Sequence, residues 1–180
     1  MTDFYVYLLS SLPMLQFGTE APFSFSQFLE KCQPLIPAQD FLILANLAQP
    51  GDSKIPLEIP LAVRQWLDFE TALRNALILL RSSRRHLEPQ KYLRPENPGN
   101  YSVSELNQLA LNAQRNPSPL EAERLLDQRR WQFLEELNFG HYFDFTALIV
   151  YAYKLLLLER WERIHRADKT QLLEAVLEGA

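Results

Sequence analysis

Charged residues on the apolar face of a predicted helix are the groups in this sequence that could do chemistry. A helix over residues 119–138 gathers its apolar side chains on one face at about 100° per residue. Glu123, Asp127 and Arg130 fall inside or beside the same arc. These groups need partners, because an unpaired buried charge costs several kcal/mol. We expect Glu123 or Asp127 to bind Lys154 of a later helix or an arginine of an earlier one.

A predicted helix over residues 60–87 has a related arrangement. Its apolar stripe combines aromatic residues and leucines, and charged residues run along one edge of that stripe. Glu70 and Arg74 form an i, i+4 pair in the favourable order, and Arg84 lies on the stripe itself. The candidates for structural ion pairs or for an interface are Glu70, Arg74, Arg81, Arg84, Glu123, Asp127, Arg130, Lys154, Glu159 and Arg160.

These charges allow more than one interpretation. They form buried ion pairs that fix helix register, or they line a charged groove that holds a partner segment or a ligand. We favour ion pairs, because carboxylate clusters in helical bundles are usually structural or metal-binding and the E-x-x-H ligand pattern is absent. A third hypothesis is an enzyme with hydrolase or transferase chemistry at Glu123, Asp127 and Lys154.

Motifs that usually carry catalysis, cofactors or metals are missing from the sequence. His86, His141 and His165 are far apart and lack metal-site spacing. The five glycines are not clustered as phosphate-binding loops require. Cys32 is the single cysteine, and its only basic neighbour is Lys31. We therefore assign no catalytic, cofactor-binding or metal-binding residue and expect no small-molecule substrate.

The composition is that of a globular domain. The chain has 180 residues, 47% of them hydrophobic, and a net charge of −4, so no nucleic-acid partner is expected. Several signals for the start of a helix predict an all-α fold. They are the prolines Pro37, Pro60 and Pro119, each at the beginning of an amphipathic pattern, and a capping box formed by Ser118 and Glu121. We expect a bundle of about six or seven helices, covering residues 25–33, 37–49, 60–87, 102–115, 119–138, 144–166 and 168–178.

The remaining segments are less regular. Residues 4–11 are too short for periodicity to distinguish a strand from a helical turn. We predict loops at residues 50–53 and 88–100, and the second loop is long enough to be a functional or mobile element. The chain is expected to form a single helical domain over residues 1–180, with residues 1–50 as an alternative N-terminal lobe.

Aromatic residues fall into two groups with different expected roles. Trp66, Trp131 and Trp161 lie among leucines on long helices, so we predict that all three are in the core. Tyr5 and Tyr7 belong to an N-terminal aromatic patch. That patch is either an exposed docking surface or a terminus tucked against the bundle.

Secretion and membrane insertion are not predicted. The N-terminus lacks the positive region of a signal peptide. The most apolar run, residues 145–158, includes Lys154 and is shorter than the roughly 20 residues that a bilayer span needs. A lone cysteine requires no oxidising compartment. We expect a cytoplasmic protein.

Four stretches of the chain together resemble a known family. They are YLLSSLP at 7–13, LRNAL and LRSSR within 73–84, PLEAERLLDQRRW at 119–131 and YKLLLLERW at 153–161. The chain is similar to a bacterial family of unknown function whose members are encoded among V/A-type ATPase subunits, in operons that lack a recognisable C subunit.

The resemblance implies a non-catalytic helical protein similar to that C (d-type) subunit, the adaptor between the rotary stalk and the membrane ring. The implied partners are other V/A-type ATPase subunits, and the complex would hold the chain at the periphery of the inner membrane. We therefore expect a subunit or an assembly factor of the ATPase. The alternative is a stand-alone helical interaction module that regulates the ATPase.

Overall fold

The computed structural model describes residues 3–48, 59–86, 88–97, 99 and 101–178, and these residues contain helices and no strand. This confirms the predicted all-α, multi-helix fold. The loop predicted at residues 50–53 lies outside the described residues. A 3-10 helix at Pro89–Lys91 accompanies the α-helices of the described residues, which are α1 (Asp3–Ser11), α2 (Phe25–Cys32), α3 (Ala38–Asn46), α4 (Leu61–Arg85), α5 (Val103–Arg115), α6 (Pro119–Asn138) and α7 (Phe145–Glu178).

Short polar side chains determine where two of the helices begin. At α2, the Ser24 hydroxyl accepts a hydrogen bond from the Gln27 N–H at 3.2 Å, and Gln27 Oε1 accepts from the Ser24 N–H at 2.9 Å. At α6, the Ser118 hydroxyl accepts from the Glu121 N–H at 3.3 Å, whereas the Ser118 N–H donates to the Asn116 side chain. The caps satisfy N–H groups that have no partner within their own helix.

The two ends of the chain differ from the sequence prediction. Residues 4–11, which periodicity left open, belong to α1 and are helical. The last helix, α7, is continuous from Phe145 to Glu178, so the predicted division into 144–166 and 168–178 is wrong. No proline or glycine occurs within α7, and therefore no residue interrupts its hydrogen-bond ladder.

The chain divides into two compact units, and the boundary between them falls within α6. Unit 1 comprises Met1–Glu58 and Leu134–Ala180, and in it α1, α2 and α3 each pack against α7. The Phe28 ring is fully buried in this unit and stacks on Tyr151 with centroids 5.5 Å apart. Burial of apolar rings between α2 and α7 contributes to the stability of this unit.

Unit 2, Ile59–Phe133, contains α4, α5 and the first part of α6. Helix α4 packs against α5. Phe69 of α4 stacks on Phe133 of α6, with centroids 4.1 Å apart and ring planes within 7° of parallel. Trp66 lies against both rings, so the core of this unit is aromatic. The organisation of the whole chain as a single domain stays a prediction.

The long apolar run of α7 is part of a protein core. Leu148, Leu155 and Leu158 are completely or almost completely buried. All three tryptophans are buried as well, as predicted. Across the described ranges, we find no helix that combines the length and the apolar character required to cross a membrane.

Candidate functional site

A cluster of ion pairs in unit 2 gathers three of the predicted residues. Arg130 of α6 binds the carboxylate of Glu70 on α4 through two nitrogens, with an Nε–Oε1 distance of 2.7 Å and an Nη2–Oε2 distance of 3.3 Å. Its Nη1 donates to Oδ1 of Asp127, one turn earlier on α6, at 2.8 Å. We call Glu70, Asp127 and Arg130 the ion-pair triad. A two-pronged arginine–carboxylate contact is the strong form of this pair.

Burial makes the ion-pair triad a closed arrangement. Asp127 is 0% exposed and the Arg130 side chain is 16% exposed. Burial disfavours the charged guanidinium, but the carboxylates of Glu70 and Asp127 outweigh this effect and raise the pKa of Arg130 above its ordinary value. Asp127 could meet a substrate only after the packing around it had opened. This placement counts against catalysis at Asp127.

The predicted pair of Glu70 and Arg74 does not form. Arg130 binds the Glu70 carboxylate instead, and Arg74 Nη1 donates to the carbonyl oxygen of Tyr92 at 3.2 Å. This link joins a carboxylate of α4 to an arginine of α6. The predicted pairing of Glu123 or Asp127 with Lys154 or with an arginine of α4 stays a prediction.

Lys154 and Glu159 lie on α7 in unit 1. Lys154 Nζ is 3.5 Å from Oε1 of Glu135, and the lysine side chain is 15% exposed. Burial lowers the pKa of Lys154 despite the nearby carboxylate of Glu135. Glu159 Oε1 accepts a hydrogen bond from the Phe25 N–H at 2.8 Å, so this carboxylate holds the first residue of α2 against α7.

The other predicted residues lie at the surface or at its margin. Glu123 and Arg160 are half-buried, and each is engaged with neighbouring groups. Arg81 and Arg84 are exposed. Arg84 follows Leu77 by two turns of α4 but is exposed, because burial along α4 ends at Ser82 and the last turn faces solvent.

Residues 88–97 form a strap against α4 that the sequence analysis did not predict. Asn75 is 2% exposed and pairs with both backbone groups of Arg94: its Oδ1 accepts from the N–H at 3.1 Å, and its Nδ2 donates to the carbonyl at 2.8 Å. Nδ2 also donates to Glu96 Oε1 at 2.6 Å. An amide side chain among the apolar residues of a long helix is the signal that could have revealed this contact.

Unit 1 contains a groove of about 510 Å³, which we call the N-terminal groove. The N-terminal aromatic patch is partly exposed and partly packed against the unit, and its role in docking stays a prediction. Tyr7 is exposed and lines the groove, whereas Tyr5 is half-buried, donates its hydroxyl to Asp40, and has a pKa raised by that burial and by Asp40. The lining residues are Tyr7, Leu8, Ser11, Leu12, Pro13, Pro22, Phe23, Lys31 and Leu35.

The connection between α6 and α7 exposes three aromatic side chains. Phe139, Tyr142 and Phe143 are 88%, 72% and 48% exposed, and we call residues 139–144 the aromatic loop. Gly140 has a φ of +83°, which L side chains rarely adopt. His141 donates its backbone N–H to the Asn138 carbonyl at 2.9 Å, so the loop is tightly turned. The predicted helices over 119–138 and 144–166 leave a short connection here, but the sequence analysis did not predict its exposed aromatic surface.

Two further kinds of reactive site can be assessed directly. The Cys32 thiol is buried, and burial raises its pKa to about 12, so the thiolate is disfavoured. In the part of the chain that the structure describes, no group of three or more histidine, cysteine, aspartate or glutamate side chains is placed to hold a metal ion.

The fold and the site define an all-helical protein whose buried charges form internal ion pairs. A family model described as protein of unknown function (DUF2764) matches residues 61–178, about two thirds of the chain. The chain belongs to this family, which confirms the resemblance to a family of unknown function. No curated protein and no solved structure matches the chain.

Proposed function

We propose that the chain is a non-catalytic helical subunit or assembly factor of a bacterial V/A-type ATPase, in which it stands in for the C (d-type) adaptor. Its partners are other ATPase subunits, and the complex holds it on the cytoplasmic side of the inner membrane. The ATPase connection rests on the four stretches of sequence that resemble the family. The docking surface is proposed from the structure.

The observation that carries the proposal is the exposed basic end of α4. Arg81, Arg84 and Arg85 are exposed there, and among the described residues no ion pair engages any of the three. Cations at this end of a helix suit its dipole. Three arginines together also complement an acidic protein surface, in a chain whose net charge is −4. The docking surface is therefore the last turn of α4, and its partner is acidic.

The ion-pair triad supports the non-catalytic part of the proposal. Asp127 was a candidate for hydrolase or transferase chemistry, and its carboxylate is fully buried against Arg130. Lys154, the cationic member of that enzyme hypothesis, is bound to Glu135. These charges therefore stabilise helix packing, which leaves the exposed arginines for binding.

Purification of the ATPase from the native host tests the proposal. We expect the chain to co-purify with the complex, and we expect a variant with both Arg81→Glu and Arg84→Glu to be lost from it. Arg64→Glu is the matched control, because Arg64 is exposed near the other end of the same helix. The proposal would be wrong if the chain were consistently absent from the purified complex and ATPase activity were unchanged after deletion of its gene.

The same experiment separates a subunit from a regulatory module. Stoichiometric amounts in the purified complex indicate a subunit. Sub-stoichiometric amounts indicate the alternative, a stand-alone helical module that regulates the ATPase. Salt should weaken binding in either case, because salt screens the exposed arginines.

A further inference from the structure

The aromatic loop is an exposed apolar surface that neither the proposed docking site nor the core uses. Phe139 and Tyr142 are largely exposed on a connection only a few residues long. The loop is held by the turn at Gly140 and by the contact between a His141 ring nitrogen and Asp144, 2.5 Å apart. Aromatic side chains on a preorganised turn lose little entropy when they bind, so they are suited to act as anchors.

The N-terminal groove offers matching chemistry in the same unit. Most of its lining residues have apolar side chains, although polar and apolar atoms contribute about equally to the lining surface, and among the described lining residues Lys31 is the only charged one. Lys31 Nζ lies 5.6 Å from the centre of the Phe23 ring, at the apolar wall of the groove. No carboxylate of the described residues pairs with Lys31. The groove therefore suits apolar side chains that come with a nearby carboxylate.

We propose that the N-terminal groove binds the aromatic loop of a second copy of this chain. The loop brings the apolar side chains, and it ends at Asp144, which contacts His141, caps α7 and carries a charge opposite to that of Lys31. The volume of about 510 Å³ is within the range of pockets that enclose a small ligand, and so accommodates one or two aromatic rings. Groove and loop both belong to unit 1, so each copy carries both halves of the contact.

The size of the contact sets the expected affinity. An aromatic side chain buries about 150–250 Å², so a contact built around Phe139 and Tyr142 is smaller than a standard protein interface. We therefore expect weak association, with a dissociation constant between about 1 µM and about 1 mM.

Analytical ultracentrifugation of the purified full chain over that concentration range tests the proposal. Phe139→Ser removes the main anchor, and Ser11→Trp fills the groove from its exposed rim. Each variant alone should associate at least about tenfold more weakly than the parent. Lys31→Glu, at an exposed position of α2, repeats the groove test without adding bulk. Leu61→Ser is the control, because Leu61 is 65% exposed in unit 2.

Mixing the two variants gives the decisive result. Phe139→Ser still has an intact groove, and Ser11→Trp still has an intact loop, so an equimolar mixture should form a complex that neither variant forms alone. Helix content by circular dichroism verifies that each variant is folded. A parent chain that stays monomeric, a Phe139→Ser variant that associates like the parent, or a mixture that associates no better than its components would each overturn the proposal.

Discussion

Replacing Arg130 with methionine tests the role assigned to the ion-pair triad. Methionine is unbranched and flexible and fills much of the space of the arginine stem, so the change is mainly electrostatic. The fully buried Asp127 would keep its negative charge without the guanidinium that now lies 2.8 Å away. Removing one partner of a buried pair costs about 3–5 kcal/mol. For a chain of this size that corresponds to a Tm lower by roughly 6–20 °C.

Two other variants serve as comparisons. Asp127→Asn leaves Arg130 in its two-pronged contact with Glu70, so the guanidinium keeps a carboxylate partner and we expect a smaller loss of about 1–3 kcal/mol. Arg124→Met changes an exposed arginine on the same helix and should stay within about 0.5 kcal/mol of the parent. Stability should therefore fall in the order Arg124→Met, Asp127→Asn, Arg130→Met.

Urea unfolding followed by circular dichroism measures these differences. An Arg130→Met variant as stable as the parent at neutral pH, or one less destabilised than Asp127→Asn, would refute this account of the triad.

Three further predictions concern other parts of the chain. Partial burial opposes ionisation of Asp144, but hydrogen bonds from His141 and the Ala147 N–H prevail and lower its pKa. The stability that Asp144 adds to the folded chain is therefore present above the pKa of the unfolded chain and is lost as the pH falls through the pKa of the folded chain. Asp144→Ala should lower the free energy of unfolding in urea by about 1 kcal/mol at neutral pH. An unchanged unfolding midpoint would show that Asp144 does not cap α7. Asn75→Leu should release the strap, seen as faster limited proteolysis within residues 88–97; equal protection would show that other contacts hold it. Cys32 should resist alkylation in the folded chain at about pH 8 and react in urea, whereas rapid reaction without urea would contradict its burial.

Local chemistry was enough to predict most of the helices. Proline and serine caps locate the starts of α2 and α6, because they act on N–H groups within a few residues. The predicted division of α7 was wrong, although the sequence contains the evidence against it. No proline or glycine occurs within α7, so no residue there ends the helix. The tryptophans were assigned to the core on the same local basis, from the leucines around them on each helix.

Pairings between helices could not be predicted in the same way. The sequence identifies Glu70, Asp127 and Arg130 as charges in need of partners, but the choice between Arg74 and Arg130 as the partner of Glu70 depends on how α4 and α6 are rotated and offset. That offset is set by the stacked rings of Phe69 and Phe133, a contact between distant residues. The strap and the N-terminal groove likewise depend on contacts between separate segments, which helical periodicity does not describe.

The ion-pair triad also has a consequence for descent within the family. A lineage that loses Arg130 first must pass through a protein whose buried carboxylate has lost its arginine, whereas replacing all three residues by apolar ones of similar volume can be neutral or stabilising. We therefore expect related genes to inherit Glu70, Asp127 and Arg130 together or to have exchanged them together. Glu70 and Arg130, sixty positions apart in the chain, would then behave as a single heritable character.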